Sequence, residues 1–275
     1  MLACFLMFHW QLAVLRHKVT GRLSLSWSEV VKIIRPVALY GAQSSGFVTA
    51  ISEEGAQVHW RTPLGNFWGL RHEEPAYESL LKEQLIDQLY YNEVLDLPTG
   101  ATVIDVGCHV GIFSLNSFAN GATLVVCVEP NKELIPLLKR TFAKQIADGS
   151  LLMIEKGAWK EETVLRFNTD KFNTLGAHVV DDGVEEIPVT TIDKLVEELD
   201  LKRVDFIKMD IEGSEEEALE GARETIRRFT PMMAIAMEHK DADSAATAVF
   251  VRKLSEGYEY ALRSKIALFT HKTLH

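Results

Sequence analysis

Short apolar runs alternate with longer amphipathic stretches along most of this chain, and that alternation sets its fold class. Residues 102–106, Thr-Val-Ile-Asp-Val, form the β-branched run expected of a strand buried on both faces. Comparable runs recur at 124–128, 151–154, 204–209 and 232–237. Helical spacing fills the intervals after the turn at 107–111 and over about 132–147, 192–199, 214–229 and 242–256, and two last strands are expected at 258–262 and 266–270. Such alternation predicts an α/β fold, a mainly parallel sheet with helices on both faces.

Three stretches depart from the alternation. Residues 46–71 read as strands at 47–51, 58–60 and 66–70, separated by Glu53-Glu54-Gly55 and Pro63-Leu64-Gly65 turns, which predicts a small antiparallel β-meander. Strands at 163–167 and 186–190 enclose a polar excursion, 168–183, that reads as an inserted hairpin or edge extension, either a disordered loop or part of a lid. At the amino terminus, residues 1–15 are apolar but interrupted by His9 and Gln11, too short for a membrane span, and followed rather than preceded by the basic Arg16, His17 and Lys18. Two roles are open to residues 1–18: packing on the body of the protein or on a second copy in a homo-oligomer, or peripheral contact with a membrane. A capped helix is expected within 26–42, opening at Ser26-Trp27-Ser28-Glu29 and disturbed by Pro36. In 75–95, Leu80, Leu81, Leu85, Ile86 and Leu89 keep helical period up to the turn Leu97-Pro98-Thr99-Gly100. The expected division is an N-terminal helical segment and β-meander at 1–74, for substrate or oligomer contacts, and a main domain at 75–275.

Composition narrows the function classes. The 275 residues carry a formal net charge of -10, with 47% hydrophobic and 25% charged residues. An acidic chain without Lys/Arg blocks is poorly suited to gripping phosphates, so no nucleic-acid partner is expected. Cys4, Cys108 and Cys127 are scattered, with no pairing that suggests zinc or a disulfide framework, which points to a reducing compartment such as the cytoplasm.

The chemistry gathers at strand ends. Gly107 and Gly111 let a ligand approach the main chain after the 102–106 strand, while Asp105 places a carboxylate at its carboxyl end, where open α/β sheets bind ligands. Glu129, ending the 124–128 strand about twenty residues on, stands where nucleotide-binding domains place the carboxylate that accepts from two ribose hydroxyls. Asp210 and Glu212 crowd the end of the 204–209 strand, and packing explains two carboxylates there poorly. Glu238 and His239 end the 232–237 strand.

Taken in order, Asp105-x-Gly107-x-x-x-Gly111 with Phe113-Ser114-Leu115, then Glu129-Pro130-Asn131, Ile192-Asp193-x-Leu195 and Ile207-Lys208-Met209-Asp210-Ile211-Glu212-Gly213-x-Glu215 resemble the FkbM-type methyltransferases over about residues 97–260. The resemblance implies a Rossmann-like class I methyltransferase sheet, S-adenosylmethionine as cofactor, and O-methylation of a small-molecule or carbohydrate hydroxyl. It implies that Asp105 contacts the methionine amino group, directly or through water, along the backbone of Gly107, Cys108, His109 and Gly111. Glu129 with Pro130 would hold the ribose, Gly157-Ala158-Trp159 would lie along the adenine, and Asp210 would stand between cofactor and acceptor. His109 departs from the asparagine usual in the family. Candidate bases for a hydroxyl acceptor are Glu212, Glu238 and His239, beside Asp210. Asp210, Glu238 and His239 also carry ligand types that suit Mg2+, but no metal is expected.

Two other classes compete. A nicotinamide-dependent oxidoreductase would want Gly-x-Gly-x-x-Gly and a Tyr-x-x-x-Lys pair, and neither occurs in these positions. A non-catalytic membrane-peripheral protein that keeps the fold rests on the apolar amino terminus alone.

Overall fold

The computed structural model describes residues 46–90, 97–170, 173–179, 185–237 and 244–272. The apolar 1–18 segment, the helix expected in 26–42, and Glu238 and His239 lie outside the described residues. The described chain begins with the expected meander, β1 (Thr49–Glu54), β2 (Gln57–Thr62) and β3 (Gly65–Leu70), paired antiparallel in sequence order. Its inner face carries Val58, Trp60 and Phe67, all fully buried. Helix α1 (Glu74–Leu85) follows, with Pro75 in its first turn, where the missing N–H costs nothing. It ends earlier than the 75–95 periodicity predicts. Lys82 bonds beyond the helix end to Asp87, and Gln88 turns left-handed at φ 49°.

The main sheet takes strands β4 (Ala101–Val106), β5 (Ala122–Val128) and β6 (Leu151–Ile154) on one side of the chain's starting point. Helix α2 (Ile112–Ala119) joins the first two, and α3 (Ile135–Thr141) and α4 (Ala143–Asp148) the second pair. The single helix expected at 132–147 is thus two, broken at Phe142, whose ring is fully buried beneath Gly111. Within the excursion, residues 168–170 and 173–179 are strand, in keeping with an inserted hairpin rather than a disordered loop. A second sheet of order β7-β10-β8-β9 forms from β7 (Gly157–Ala158), β8 (Thr163–Asp170), β9 (Asn173–Val179) and β10 (Glu185–Thr190), and β9 comes from within the excursion.

After α5 (Ile192–Glu198) the chain returns to the main sheet as β11 (Phe206–Met209), on the opposite side of β4 from β5. Helices α6 (Glu215–Glu220) and α7 (Arg223–Phe229) replace the one helix expected at 214–229. They divide at Gly221, where an added Cβ would lie 2.1 Å from the Trp159 carbonyl oxygen. Then come β12 (Met232–Ala236), α8 (Ser244–Leu254), β13 (Tyr258–Arg263) and β14 (Ile266–His271), giving the order β13-β14-β12-β11-β4-β5-β6. β4, β5, β6, β11 and β12 are parallel, and β14 runs antiparallel to both its neighbours.

The sheet separates two apolar layers, as strand period two requires. Val103, Val125 and Phe206 pack with the meander, α1, α2 and α3 on one face, and Ile104, Val126 and Ile207 pack with α5 to α8 on the other. The order reverses at β4, whose onward connection goes to β5 while β11 lies on its other flank. A crevice therefore opens outside the carboxyl ends of β4 and β11, where ligands of such sheets bind. Among the described residues no helix is long and apolar enough to cross a membrane.

Candidate active site

The crevice encloses a cavity of about 100 Å³ that opens to solvent. Its floor is the turn after β4. Gly107 at φ 74°, His109 at φ 51° and Gly111 at φ 86° are all left-handed, and the Gly107 and Cys108 amides both donate to the Val128 carbonyl at the end of β5. An added Cβ on Gly107 would lie 2.1 Å from the Asp210 carbonyl oxygen, so glycine is what lets β11 close against the turn. At Gly111 the same atom would lie 2.3 Å from the Phe142 ring.

Glu129 lies on the cavity wall and is buried. One carboxylate oxygen accepts from the His109 amide at 2.9 Å, the other from the Asn131 amide at 3.0 Å. Each oxygen keeps a second lone pair for a hydroxyl donor. Burial raises the pKa of Glu129, opposed by those two amides.

Asp105 sits differently from Glu129. It is 0% exposed and off the cavity wall, sealed beneath the turn, where it accepts from Ser114 Oγ at 2.6 Å. Its oppositely charged neighbour is Lys208, directly across the β4–β11 ladder with Nζ 3.7 Å away. Lys208 is 5% exposed, donates to the Gly107 carbonyl at 2.8 Å and lies 3.7 Å from Asp210. Burial works against that ammonium, yet Asp210, Asp105, Cys108 and Glu129 together hold its pKa above that of free lysine. The cation beside Asp105 in the structure is thus Lys208, which itself lies on the cavity wall. Burial raises the pKa of Asp105 itself, partly offset by Lys208. Burial likewise pushes the Cys108 thiol well up, which keeps it protonated and unreactive.

Of the other expected site residues, Cys108, His109, Pro130, Gly157, Ala158, Asp210 and Glu212 are on the wall. Asp210 keeps 24% of its side chain exposed. Glu212 is left-handed at φ 56°, and its loop is clamped by the Glu215 carboxylate, which accepts from the Ile211 and Gly213 amides. Such backbone outliers concentrate at functional sites. Gly111 and Trp159 are off the wall. Trp159 packs instead against Phe167, Ile187 and Val189, and it is those three side chains that form the apolar end of the cavity beside Gly157 and Ala158. Asp193, part of the motif pattern, caps α7 by accepting from the Glu224 and Thr225 amides and from Thr225 Oγ1.

Sequence reasoning missed two groups. Lys208 was visible as the one basic residue of an apolar strand. The wall contributed by α1, Leu80 and Gln84, with Tyr90 just beyond, carried no signal above ordinary helical period. Behind that wall Tyr77 donates to the buried Glu73 at 2.9 Å, and Glu73 lies 3.5 Å from His109 Nε2, which ties α1 and the meander to the turn.

A family model described as "Methyltransferase FkbM domain" matches residues 105–261. Among curated proteins, the AMB antimetabolite synthetase AmbE of Pseudomonas aeruginosa is 26% identical over 275 residues, an alignment that takes in 81% of this chain and 12% of that protein. Among solved structures, methyltransferase FkbM from Methylobacillus flagellatus KT superposes with a TM-score of 0.53 at 19% identity, over 73% of this chain and 55% of that one. The chain thus spans about an eighth of the curated relative and just over half of the solved one, and the second likeness is one of fold.

Proposed function

Because this chain belongs to the FkbM methyltransferase family and is an S-adenosylmethionine-dependent methyltransferase, we propose that it methylates a hydroxyl group of a small molecule or sugar. The residues present suit the cofactor. Glu129 offers a buried carboxylate with two free lone pairs to the ribose diol, and Pro130, Gly157, Ala158, Phe167, Ile187 and Val189 offer an apolar slot to the purine. When bound, the cofactor supplies an electrophilic methyl group on a sulfonium. What the protein must add is alignment and, for a hydroxyl, a group to take the proton.

The observation that carries the reading is the placement of Asp210 on the cavity wall, directly after β11. Its carboxylate is partly exposed and lies 3.7 Å from the Lys208 ammonium. In that position Asp210 orients an acceptor O–H and receives its hydrogen bond, with Glu212 on the same turn as a second acceptor of the proton. Glu238 and His239 enter the reading as further bases on the strength of their sequence position alone. The left-handed Gly107 turn fixes the backbone that faces the reacting groups, and the buried Asp105 and Ser114 hold Lys208 from below. Small acceptors are favoured by the acidic chain, and the name of the relative, a synthetase of an antimetabolite, is in keeping with one. The free, buried Cys108 and Cys127 suit a reducing compartment, the cytoplasm.

The reading is tested by incubating the protein with [methyl-13C]S-adenosylmethionine and fractionated small-molecule extract, then following the labelled methyl group by NMR. A methyl carbon bonded to oxygen is the expected product. Label found only on nitrogen or carbon would overturn O-methylation while leaving methyl transfer intact.

A further inference from the structure

Gln84, in the last turn of α1, lies on the cavity wall, is 7% exposed, and has its carbonyl oxygen buried without a hydrogen-bond partner. A buried amide oxygen left unpaired loses its hydration without a compensating hydrogen bond, so one that persists on the wall of a binding cavity calls for a ligand donor. Position says which part of the ligand. Glu129 marks the ribose side, and Gly157 and Ala158 with the β8–β10 cluster mark the purine side, both over β5 and β6. The opposite end of the cavity, beside the Gly107 turn and the start of α2, is closed by Ile112 and by Tyr90 and Phe113, whose rings meet edge-on at 5.2 Å. In that apolar end Gln84 supplies an amide.

We infer that Gln84 holds the amino-acid end of S-adenosylmethionine, so that α1, outside the residues matched by the family model, completes the cofactor site. The amide suits a zwitterion, since its carbonyl accepts from the α-ammonium and its NH2 donates to the α-carboxylate. The inference rests on the cofactor identity and not on the acceptor class.

The test compares two ligands that differ only at that end: S-adenosylhomocysteine, which carries the amino acid, and 5′-methylthioadenosine, which lacks it. Titration calorimetry on the full chain is expected to show Gln84→Leu binding S-adenosylhomocysteine about tenfold or more weakly, the scale of losing hydrogen bonds to charged groups. Affinity for 5′-methylthioadenosine is expected to stay within about twofold of wild type, and unliganded thermal stability to hold or rise, because the substitution removes an unpaired buried oxygen. Equal loss for both ligands would overturn the inference, as would S-adenosylhomocysteine affinity unchanged in Gln84→Leu, which would assign the amide to the acceptor. Failure of wild type to bind either ligand would instead overturn the cofactor reading.

Discussion

The two faces of the seven-stranded sheet are built from the same strands and filled differently. Toward α5 to α8, β4, β5 and β11 present Ile104, Val106, Val126, Val128, Ile207 and Met209, all apolar and buried. Toward α2 the same strands present Val103, Val125 and Phe206 and then, near their carboxyl ends, Asp105, Cys127 and Lys208 in one register row. Buried charges seldom stabilise a fold better than well-packed apolar groups would. Their confinement to the one row beneath the cavity shows that the first face is a packing surface and the second is packing plus a charged support for the Gly107 turn and Asp210.

The largest break in that comparison is expected from Lys208→Met. It leaves Asp105 buried with no cation, and loss of one partner of a buried pair costs about 3–5 kcal/mol, to be read by denaturant titration. The pH dependence carries a definite sign. The folded-state pKa of Lys208 is raised, so its contribution is fully present below the unfolded value of about 10.4 and is lost as pH climbs through the folded value. The gap between wild type and Lys208→Met is therefore expected to narrow at strongly alkaline pH, and to narrow toward acid as well, where the buried Asp105 carboxylate, its pKa already raised by burial and no longer opposed by Lys208, takes up a proton in the variant. A gap that stayed constant at both extremes would assign the energy to a group other than the Asp105–Lys208 pair.

Gly107→Ala comes next. A left-handed alanine costs about 1–2 kcal/mol, and its Cβ would also meet the Asp210 carbonyl oxygen. Lower stability together with weakened S-adenosylhomocysteine binding is expected, because the same turn faces the cavity. The smallest effect is expected on the other face, where Ile104→Val removes one methyl group at about 0.5–1.5 kcal/mol and leaves ligand affinity unchanged. If Ile104→Val altered affinity as Gly107→Ala does, the division of labour between the faces would fall.

The strands were legible because burial on both faces leaves a continuous apolar run, and 102–106 or 232–237 can be little else. Glu129 and Asp210 were legible because carboxylates interrupt such runs only at their carboxyl ends. Helix breaks were not, since those at Phe142 and Gly221 answer to what packs from elsewhere, a glycine turn in one case and the Trp159 carbonyl in the other. The strand β9 was legible only as an inserted hairpin or edge extension without bounds, since its partner β8 lies in the smaller sheet, whose apolar cluster among the described residues is Phe167, Ile187 and Val189. The burial of Asp105 depends on Lys208 standing opposite it, and a register between β4 and β11, a hundred residues apart, is not written in either strand. Gln84 was invisible for a simpler reason: a polar residue in a helix is normally at the surface.

The site stands or falls with Glu129, and S-adenosylhomocysteine titration of wild type, Glu129→Ala and Glu129→Gln tests it most directly. Wild type is expected to bind, and Glu129→Ala to bind more than about tenfold more weakly, the scale of two charge-assisted hydrogen bonds. Because burial raises the pKa of Glu129, wild-type affinity should fall toward acid from above the ordinary glutamate value of about 4.3, as the carboxylate gains a proton and loses acceptor capacity. Glu129→Gln should lack that acid limb. Equal affinity in wild type and Glu129→Ala, with the same pH profile in all three, would contradict the account.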